Sequence, residues 1–462
     1  MRSEQTAPAG HEDRTDRWCV IGAGPAGLAT AKNFRDAGLP FEIVEREDSL
    51  GGIWRYGEQG GVVYRSTCMI SSKRLSAFRG FPMPAAAQDF LGHREALAYL
   101  TDYAHANGLP EHIRHGLAVS RVRRAGEAWS VTFEDGSACL YRGVVVASGH
   151  HWDPRPARFP GRFDGRVLHS SEYRTPGVLQ GRRVLIVGSG NSGTDIAVES
   201  SRVAARTLNS VRQGCHYLPK YFLGRPMDEV MEWFVRVRAP RFVHRWVRRV
   251  AIWCVFGDPS RFGLPRPSRR VMDGRLILNS ELVHHVAHGA VVSKPDVAEL
   301  RGDRVRFTDG SEEEVDVIVH ATGFNASLPF LSPDDLPLNG SGRYPDLALH
   351  LFHPVHDGLF VVGMIQPDSG AWWLFDDQAA TVAAYIGATE GGGAAAERAR
   401  GLVGDHAARR YQPPGTPGPH ASLRVEHDRY ARVLRRLRRD LVSTAGKARG
   451  EKARGEKARG AR

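Results

Sequence analysis

Runs of four or five apolar residues alternate with longer segments of helical periodicity through most of the chain. The first run covers residues 18–21, enters a glycine-rich turn and is followed by a periodic segment that ends near Asp36. A second run then leads into Glu45. Continuous apolar runs are typical of strands buried on both faces, and the periodic segment is typical of a helix that covers them. The order strand, turn, helix, strand predicts a parallel α/β unit.

The same order returns in the second half of the chain, so two α/β units are predicted. It begins at residue 181, passes a second glycine-rich turn and a helix, and ends near Arg212. Residues 303–324 then form a hairpin and a buried strand that returns the chain to the first unit. The predicted division is a first unit of residues 16–175 and 320–442, with a second unit of residues 176–319 inserted into it.

The first glycine-rich turn carries the GxGxxG spacing of a dinucleotide site. Its glycines let the backbone approach a pyrophosphate, and the following helix directs the positive end of its dipole at the same group. Glu45 lies eighteen residues after the third glycine, where a carboxylate can accept hydrogen bonds from both ribose hydroxyls. The alternative is a turn that only packs a helix on a sheet. The residues expected to contact the dinucleotide are Gly22, Gly24, Pro25, Ala26, Gly27, Glu45 and Val119.

The second turn has the same spacing but a different residue after its second strand. Where the first unit has Glu45, the second has Arg212, whose guanidinium can pair with a 2′-phosphate that a carboxylate would repel. This site is therefore expected to take NADPH. Arg202 and Arg206 are further candidates, although each is better explained as a solvated residue. The residues expected to contact NADPH are Gly188, Ser189, Gly190, Asn191, Ser192, Gly193 and Arg212.

Two dinucleotide sites of opposite ribose preference suggest FAD held permanently and NADPH that visits it, as in a flavin oxidoreductase. The five cysteines include no CxxC pair, so a disulfide reductase, a disulfide framework and a metal site are not supported. The N-terminal segment is polar, and no apolar run that we find approaches the length of a membrane span. We expect a cytoplasmic protein with a flexible N-terminus over residues 1–15.

The formal charge of +12 is concentrated in two segments. Residues 215–275, an insertion in the second unit, hold thirteen basic and five acidic residues, and residues 447–462 hold seven and two, which leaves the remainder at −1. The main fold therefore offers no basic groove, and no specific nucleic-acid partner is expected. The basic tail, residues 443–462, repeats KARGE without a large core residue and is expected to be disordered; a polyanion-binding arm is the less favoured alternative to a solubilising repeat.

Within the insertion, residues 241–256 have the periodicity of a basic amphipathic helix. Three roles are open: a weak contact with an anionic membrane surface, an access lid over the active site, or a helix packed on the second unit with its arginines in water, which is the favoured role. The apolar residues of its predicted face are Phe242, Val243, Trp246, Val247, Val250 and Trp253.

A short segment between the two units, FDGRVLHSSEY, carries a family fingerprint. Phe163, Gly165, His169 and Tyr173 occupy its fixed positions, and with them the chain resembles the flavin-containing monooxygenases over nearly its whole length beyond residue 15. Further family segments follow in order: SLGGIW at 49–54, SKRLSAFRGFPMP at 72–84, HATGF at 320–324 and GMIQPDSG at 363–370. The resemblance adds to the expected cofactor contacts Gly52, Ile53, Trp54, Thr322, Gly323 and Gln366.

The resemblance implies an NADPH- and O2-dependent FAD monooxygenase. In that family NADPH reduces FAD, the reduced flavin captures O2 as a hydroperoxide, and a nitrogen or sulfur nucleophile of the substrate takes one oxygen atom. Small amines, hydroxylamines or sulfides are the expected substrates, and the protein has to align the cofactors and exclude water. Baeyer-Villiger oxygenation of a ketone stays open, as does an electron-transfer or non-catalytic flavoprotein that binds a partner. A homodimer is also left open.

One departure from the family pattern bears on catalysis. Ile70 stands near the position where many members carry an asparagine that reaches both flavin and NADP+. Ser71 or Ser72 is therefore a candidate catalytic residue that replaces the missing hydrogen bonds, with a turn or capping role as the favoured alternative. Three aromatic residues could either line the substrate pocket or pack the following helix, namely Trp372, Trp373 and Phe375.

The fingerprint supplies two further candidate catalytic residues, His169 and Tyr173. His169 could contact NADP+, but we favour a role in holding the segment between the two units. Tyr173 stands where Baeyer-Villiger enzymes generally carry tryptophan, and this difference favours heteroatom oxygenation. The ketone chemistry needs a cation near the flavin, and Arg65 is the candidate, with a surface role as the alternative.

Overall fold

The computed structural model of the chain describes residues 10–57, 61–237, 240–267, 276–339, 343–410 and 423–460. Within these ranges every helix is too short or too polar to cross a membrane. The helices are α1 (Pro25–Asp36), α2 (Lys73–Ser76), α3 (His93–Ala106), α4 (Asn191–Ser200), α5 (Met227–Arg236), α6 (Arg241–Phe256), α7 (Leu282–Ala287), α8 (Trp372–Thr389), α9 (Gly393–Arg410) and α10 (His427–Gly460).

The strands are short and occur in both halves of the chain. They are β1 (His11–Ile21), β2 (Phe41–Val44), β3 (Ile113–Arg114), β4 (Val119–Ala125), β5 (Ala128–Phe133), β6 (Ala138–Val146), β7 (Asp153–Pro154), β8 (Gly161–Phe163), β9 (Arg166–His169), β10 (Arg183–Val187), β11 (Arg206–Ser210), β12 (His216–Leu218), β13 (Tyr221–Phe222), β14 (Arg225–Pro226), β15 (Leu276–Leu278), β16 (Val292–Lys294), β17 (Val297–Gly302), β18 (Arg304–Phe307), β19 (Glu312–Glu314), β20 (Val317–His320), β21 (Phe324–Asn325), β22 (Leu359–Val361), β23 (Gln366–Pro367) and β24 (Arg424–Val425).

The first unit is built on a seven-stranded sheet in the order β3-β2-β1-β6-β5-β4, with β22 paired to β6. Strands β1, β2, β6 and β22 are parallel to their neighbours in this set, and β4 and β5 complete the sheet as an antiparallel pair. Helices α1, α3, α8 and α10 contribute to one apolar core against this sheet. Because both faces of β2 and of the C-terminal half of β1 are covered, their sequences are continuous apolar runs.

The second unit is built on a parallel five-stranded sheet in the order β16-β11-β10-β20-β9. A smaller sheet, β19-β18-β17-β8, shares an apolar cluster with β10, β11 and β20. Strand β22 returns to the first sheet only after the whole second unit is complete. The predicted fold class, two Rossmann-like α/β units with the second inserted into the first, is therefore confirmed.

The N-terminus is more ordered than its polar sequence predicts. Strand β1 starts at His11, and residues 11–14 pair with residues 138–141 of β6. The prediction of a flexible segment over residues 1–15 is therefore wrong from residue 11 onward, because a long neighbouring strand supplies hydrogen-bond partners that the local composition does not reveal. Residues 1–9 lie outside the described residues.

The boundary between the units also differs from the predicted position at residue 175. Strand β9, which contains the fingerprint histidine His169, pairs with β20 and belongs to the second sheet. The chain crosses between the units earlier, at β7, and crosses back at β21, and these two short strands pair with each other. The joint between the units is thus the β7–β21 pair, and the fingerprint is an edge of the second sheet.

The basic insertion forms α5 and α6, and the predicted apolar face of α6 is divided in two. Val247 and Ala251 are buried with Met227 and Met231 of α5 in a small core of their own. This side packs within the insertion and on Leu278, so the packing of the helix on the second unit stays a prediction. Three aromatic residues of the predicted face are instead exposed: Phe242 by 64%, Trp246 by 63% and Trp253 by 72%. Residues 268–275 of the insertion lie outside the described residues.

The basic tail continues the last helix. Helix α10 runs from His427 to Gly460 and so includes residues 443–460 of the segment that is predicted to be disordered. The repeat is rich in alanine, lysine, arginine and glutamate, which all have high helix propensity, and the preceding amphipathic part of α10 supplies a nucleus that the tail can extend. Residues 461–462 lie outside the described range.

Candidate functional site

A cleft of about 2580 Å³ brings together residues that follow the carboxyl ends of β1 and β10. This volume exceeds that of a pocket for one drug-sized ligand and suits two dinucleotides. Ligands of open α/β sheets bind at this edge of the strands. The predicted cofactor residues that line the cleft are Gly22, Gly24, Pro25, Ala26, Glu45, Gly52, Ile53, Trp54, Val119, Gly188, Ser189, Gly190, Asn191, Ser192, Arg212, Thr322, Gly323 and Gln366.

The first glycine turn is shaped for close approach to a ligand. Gly22 has a φ of +105°, and a Cβ there would lie 2.9 Å from the Ala147 carbonyl oxygen. Helix α1 starts at Pro25 with Gly24 as its N-cap, and neither a side-chain cap nor an acidic first turn satisfies its first N–H groups. A helix start without these side chains, open to a cleft, is suited to a pyrophosphate.

Glu45 is buried at the end of β2, with 6% of its surface exposed. Its Oε2 accepts a hydrogen bond from the Ala23 N–H at 2.6 Å, and its Oε1 accepts one from the Glu47 N–H at 3.1 Å. These bonds hold the carboxylate against the glycine turn. Each oxygen keeps a second lone pair for a ribose hydroxyl.

The second turn repeats this geometry in the second unit. Gly188 has a φ of +117°, a Cβ there would lie 2.5 Å from the Ala321 carbonyl oxygen, and Gly190 caps α4 without a side chain. Strand β11 ends at Ser210, two residues earlier than predicted. Arg212 follows it, is exposed and lines the cleft. The two alternative arginines do not line the cleft. Arg202 pairs with Glu281, and Arg206 pairs with Glu313.

The third glycine of each motif does not face the cleft. A Cβ at Gly27 would lie 1.8 Å from the Gly22 carbonyl oxygen, and a Cβ at Gly193 would lie 2.4 Å from the Gly188 carbonyl oxygen. Gly27 and Gly193 stay predicted cofactor contacts, although neither is among the described residues that line the cleft. Both let a helix pack closely on its own turn.

His169 and Tyr173 are not among the residues that line the cleft. The Nε2–H of His169 donates to the Gly323 carbonyl oxygen at 3.1 Å, while its Nδ1 accepts from the Ser171 N–H at 3.1 Å, and burial lowers its pKa. Tyr173 is fully buried, and its hydroxyl donates to Glu199 at 2.6 Å. Their catalytic roles stay predictions, and the contacts that the structure shows are structural, with His169 tying β9 to the loop after β20.

The segment around Ile70 divides its two serines. Ile70 is 48% exposed and lines the cleft together with Ser71, whereas Ser72 is fully buried and does not line it. The Ser72 N–H donates at 2.6 Å to the Asp228 carboxylate at the start of α5. Ser71 and Ser72 both stay predictions, and of the two Ser71 is the one that lines the cleft. Burial raises the pKa of Asp228, while its bonds to backbone N–H groups oppose that rise.

The three aromatic residues after the GMIQPDSG segment all line the cleft. Trp372 is also a core residue, because it is 4% exposed and stacks on Tyr99 with ring centroids 5.7 Å apart. Trp373 lies under the guanidinium of Arg79, 4.4 Å from the ring centroid. Both alternatives therefore hold for Trp372, which forms an apolar wall of the cleft by being packed from behind.

Tyr64 and Asp195 form a contact between the two units that the sequence does not predict. The Tyr64 hydroxyl of the first unit donates at 2.9 Å to Asp195 of α4, which also accepts from the Asn279 amide at 2.8 Å. Burial raises the pKa of Asp195, and these hydrogen bonds oppose the rise. Asp195 also lines the cleft that both glycine turns share. No local pattern distinguishes it from a solvated helix residue, because both of its partners are distant in sequence.

Comparison with known proteins gives the same assignment at the level of the family. The family model described as flavin-binding monooxygenase-like matches residues 15–383. The chain is 33% identical over 375 residues to an N-oxide-forming dimethylaniline monooxygenase 2 of Macaca mulatta, with 75% of this chain and 69% of that protein covered. It is 31% identical over 398 residues to flavin-containing monooxygenase 3 of Rattus norvegicus, with 80% and 73% covered.

Solved structures share the fold at lower identity. S-allyl-L-cysteine S-oxygenase from Allium sativum superposes with a TM-score of 0.65 at 22% identity, covering 96% of this chain and 94% of that one. Cyclohexanone monooxygenase from Rhodococcus sp. Phi1 bound to NADP+ superposes with a TM-score of 0.68 at 17% identity, covering 95% and 98%. At these identities the likeness shows a shared fold.

Proposed function

Because this chain belongs to the flavin-binding monooxygenase-like family, we propose that it transfers one oxygen atom from O2 to a nucleophilic nitrogen or sulfur of a small molecule. It is an FAD- and NADPH-dependent oxidoreductase. The proposal on the reacting atom is supported by relatives at 33% identity whose names include N-oxide formation. Amines, hydroxylamines and sulfides are the proposed substrates.

The observation that carries the proposal is the meeting of two glycine turns at one cleft. The first turn, with the Glu45 carboxylate behind it, fits FAD, and the second, with Arg212 beside it, fits NADPH. When bound, NADPH supplies a hydride and FAD supplies the chemistry with O2. The residues of the chain bind and orient these groups, and the wall that includes Trp372 and Ile70 limits water near the substrate.

Ketone oxygenation is less well supported by the site. The cation proposed for it, Arg65, is exposed and lies outside the set of residues that line the cleft. Tyr173 is buried away from the cleft, so its difference from the tryptophan of ketone-oxygenating enzymes acts only through packing. The preference for heteroatoms therefore rests on the named relatives and on the position of Arg65.

The proposed reaction is tested by turnover under ¹⁸O2 with NADPH and a matched pair of substrates, a thioether and a cyclic ketone. We expect the sulfoxide to carry one ¹⁸O atom, with about one NADPH consumed per product, and no lactone from the ketone. A labelled lactone without sulfoxide would support the Baeyer-Villiger alternative. NADPH consumption that yields only hydrogen peroxide with both substrates, and with an amine, would support an electron-transfer flavoprotein.

We further propose that α6 makes a weak contact with an anionic membrane surface from the cytoplasmic side. Phe242, Trp246, Arg249 and Trp253 share one exposed stripe at i, i+4, i+7 and i+11. Aromatic rings with an adjacent cation suit the interface of a bilayer that contains anionic lipid. A cytoplasmic location is supported by the five cysteines, which are all free thiols. A homodimer also stays a prediction, which light scattering would test by measuring the mass of the protein in solution.

The membrane contact predicts selective binding to vesicles. Sedimentation with vesicles of phosphatidylcholine and phosphatidylserine is expected to retain the protein at low salt and to lose it at high salt. Replacing both Trp246 and Trp253 with serine is expected to weaken binding by about 100-fold or more, since burial of each large apolar side chain contributes roughly 1.5–3 kcal/mol. Val355→Ser, at another exposed apolar residue, is the control. Equal binding of all three proteins would contradict the proposal.

A further inference from the structure

Helix α6 presents a polar face to the cleft, and this face is separate from its exposed aromatic stripe. His244 and Arg248 lie one helical turn apart and both line it, on the side of the helix away from the exposed aromatic stripe. The opposite wall is formed by the segment at 363–370, where Asp368 lies, and by the first turns of α10. The insertion therefore contributes a cation to the cleft that Ile70 and Trp373 also line.

The surroundings of Arg248 make an anionic ligand favourable. Burial lowers the pKa of its guanidinium, and the charge of Asp368 opposes that effect. A guanidinium removed from water is stabilised by an anion that enters the same space, and a carboxylate matches its planar donors. Asp368 is itself exposed and accepts a hydrogen bond from the His427 N–H at 2.9 Å.

The neighbouring charges favour the entry of an anion. Helix α5 also offers two carboxylates to the cleft, but Asp228 accepts from the Ser72 N–H and Glu232 pairs with Arg74, so both are engaged with α2. At the other wall, arginines outnumber carboxylates among the described residues that line the cleft. The arginines are Arg424, Arg429, Arg432 and Arg435, and the carboxylates are Asp368, Glu426 and Asp428. Such an excess attracts anionic substrates.

We propose that Arg248 determines specificity by binding a carboxylate of the substrate, so that the preferred substrate is a thioether or amine that also carries a carboxylate. The proposal rests on the oxygen-transfer function proposed above. The carboxylate pairs with Arg248 on α6, and the reacting sulfur or nitrogen at the other end of the molecule reaches the part of the cleft that Ile70 and Trp372 line. Arg248 thus binds and orients, and takes no part in the transfer of oxygen.

The test uses two substrates that differ only in charge, 3-(methylthio)propanoic acid and its methyl ester. For the wild-type enzyme kcat/KM is expected to be higher for the acid. Arg248→Ala is expected to raise the KM of the acid by about 10- to 100-fold, the range for a charge-assisted bidentate pair, and to leave the KM of the ester within about twofold. Arg248→Lys keeps the charge without the planar fork and is expected to fall between the two. Arg123→Ala, at an exposed arginine of β4 that does not line the cleft, is the control.

Three results would overturn the proposal. The first is a wild-type enzyme that oxygenates both substrates equally. The second is an Arg248→Ala variant that loses acid and ester to the same degree and is matched by Asp368→Asn, because a latch between α6 and the opposite wall would behave so. The third is a rise in the KM of NADPH alone, which would make Arg248 a cofactor ligand. Absence of labelled sulfoxide from either substrate would instead contradict the proposed function.

Discussion

Replacing Gly24 with alanine is expected to leave a folded protein that has lost most of its affinity for FAD. A Cβ at this residue would meet only the Cα of Gly52, at 3.7 Å, which is ordinary van der Waals contact. The polypeptide alone can therefore accept the methyl group. It would project where the first turn of α1 has to approach a pyrophosphate, and overpacking of about 1–3 kcal/mol corresponds to a loss of about 10- to 100-fold in FAD affinity.

This loss is measured by fluorescence titration of the deflavinated protein with FAD, together with thermal unfolding of the same protein. Gly27→Ala is the informative comparison, because its Cβ would lie 1.8 Å from the Gly22 carbonyl oxygen and is expected to lower the melting temperature even without flavin. Gly401→Ala, in open space on α9, is expected to leave the FAD affinity unchanged and to raise the melting temperature slightly, because alanine has a higher helix propensity than glycine. Wild-type FAD affinity in Gly24→Ala would refute the assignment of the first turn as the flavin site.

Arg212→Ala is expected to raise the KM of NADPH by about 10- to 100-fold, because a charge-assisted pair with the 2′-phosphate contributes about 1.5–3 kcal/mol. The KM of NADH is expected to stay nearly constant, since NADH lacks that phosphate. Arg212 is exposed at the cleft after β11, and among the described residues it has no ion pair that its removal would break. The change should therefore appear in the cofactor preference and leave the unfolding temperature unaltered.

Arg206 provides a matched control four residues before the end of β11. Its guanidinium pairs with Glu313 at 3.0 Å and does not line the cleft. Arg206→Ala should keep the ratio of the two KM values while losing that surface pair, which contributes little to stability. If Arg206→Ala and Arg212→Ala shift the ratio alike, or if neither does, the 2′-phosphate is bound elsewhere and the assignment of Arg212 is wrong.

Both predictions concern motifs whose meaning is local. Each motif spans about thirty residues within its own unit. It consists of an apolar strand, β1 or β10, the glycine turn, and the residue after the second strand. Backbone sterics and burial act over that distance, so the fold class and most cofactor contacts follow from the sequence. Gly27 and Gly193 lie against their own turns, because the same motif requires glycine both for approach to the ligand and for packing of the helix.

The predictions that differ from the structure concern residues whose contacts are made with partners distant in the sequence. Tyr173 satisfies a fingerprint position, yet its hydroxyl meets Glu199 in the core of the second unit. Ser72 has a sequence typical of a turn near the flavin, yet its N–H is taken by Asp228, more than 150 residues away. Residues 11–15 are polar and still form a strand, because β6 extends far enough to pair with them. None of these partners is visible in a local pattern.

The amino-acid sequence alone predicts two nested dinucleotide folds, the cofactor that each one suits and the family of the chain. These properties depend on periodicity and on motif spacing, which are physical constraints on neighbouring residues. The folded structure was needed to show which side chains face the common cleft and how the insertion is attached to the first unit. It was also needed to show that α6 turns Arg248 inward and three aromatic rings outward. Those outcomes depend on packing between segments far apart in the chain, since a helix can present any of its faces until its neighbours are in place.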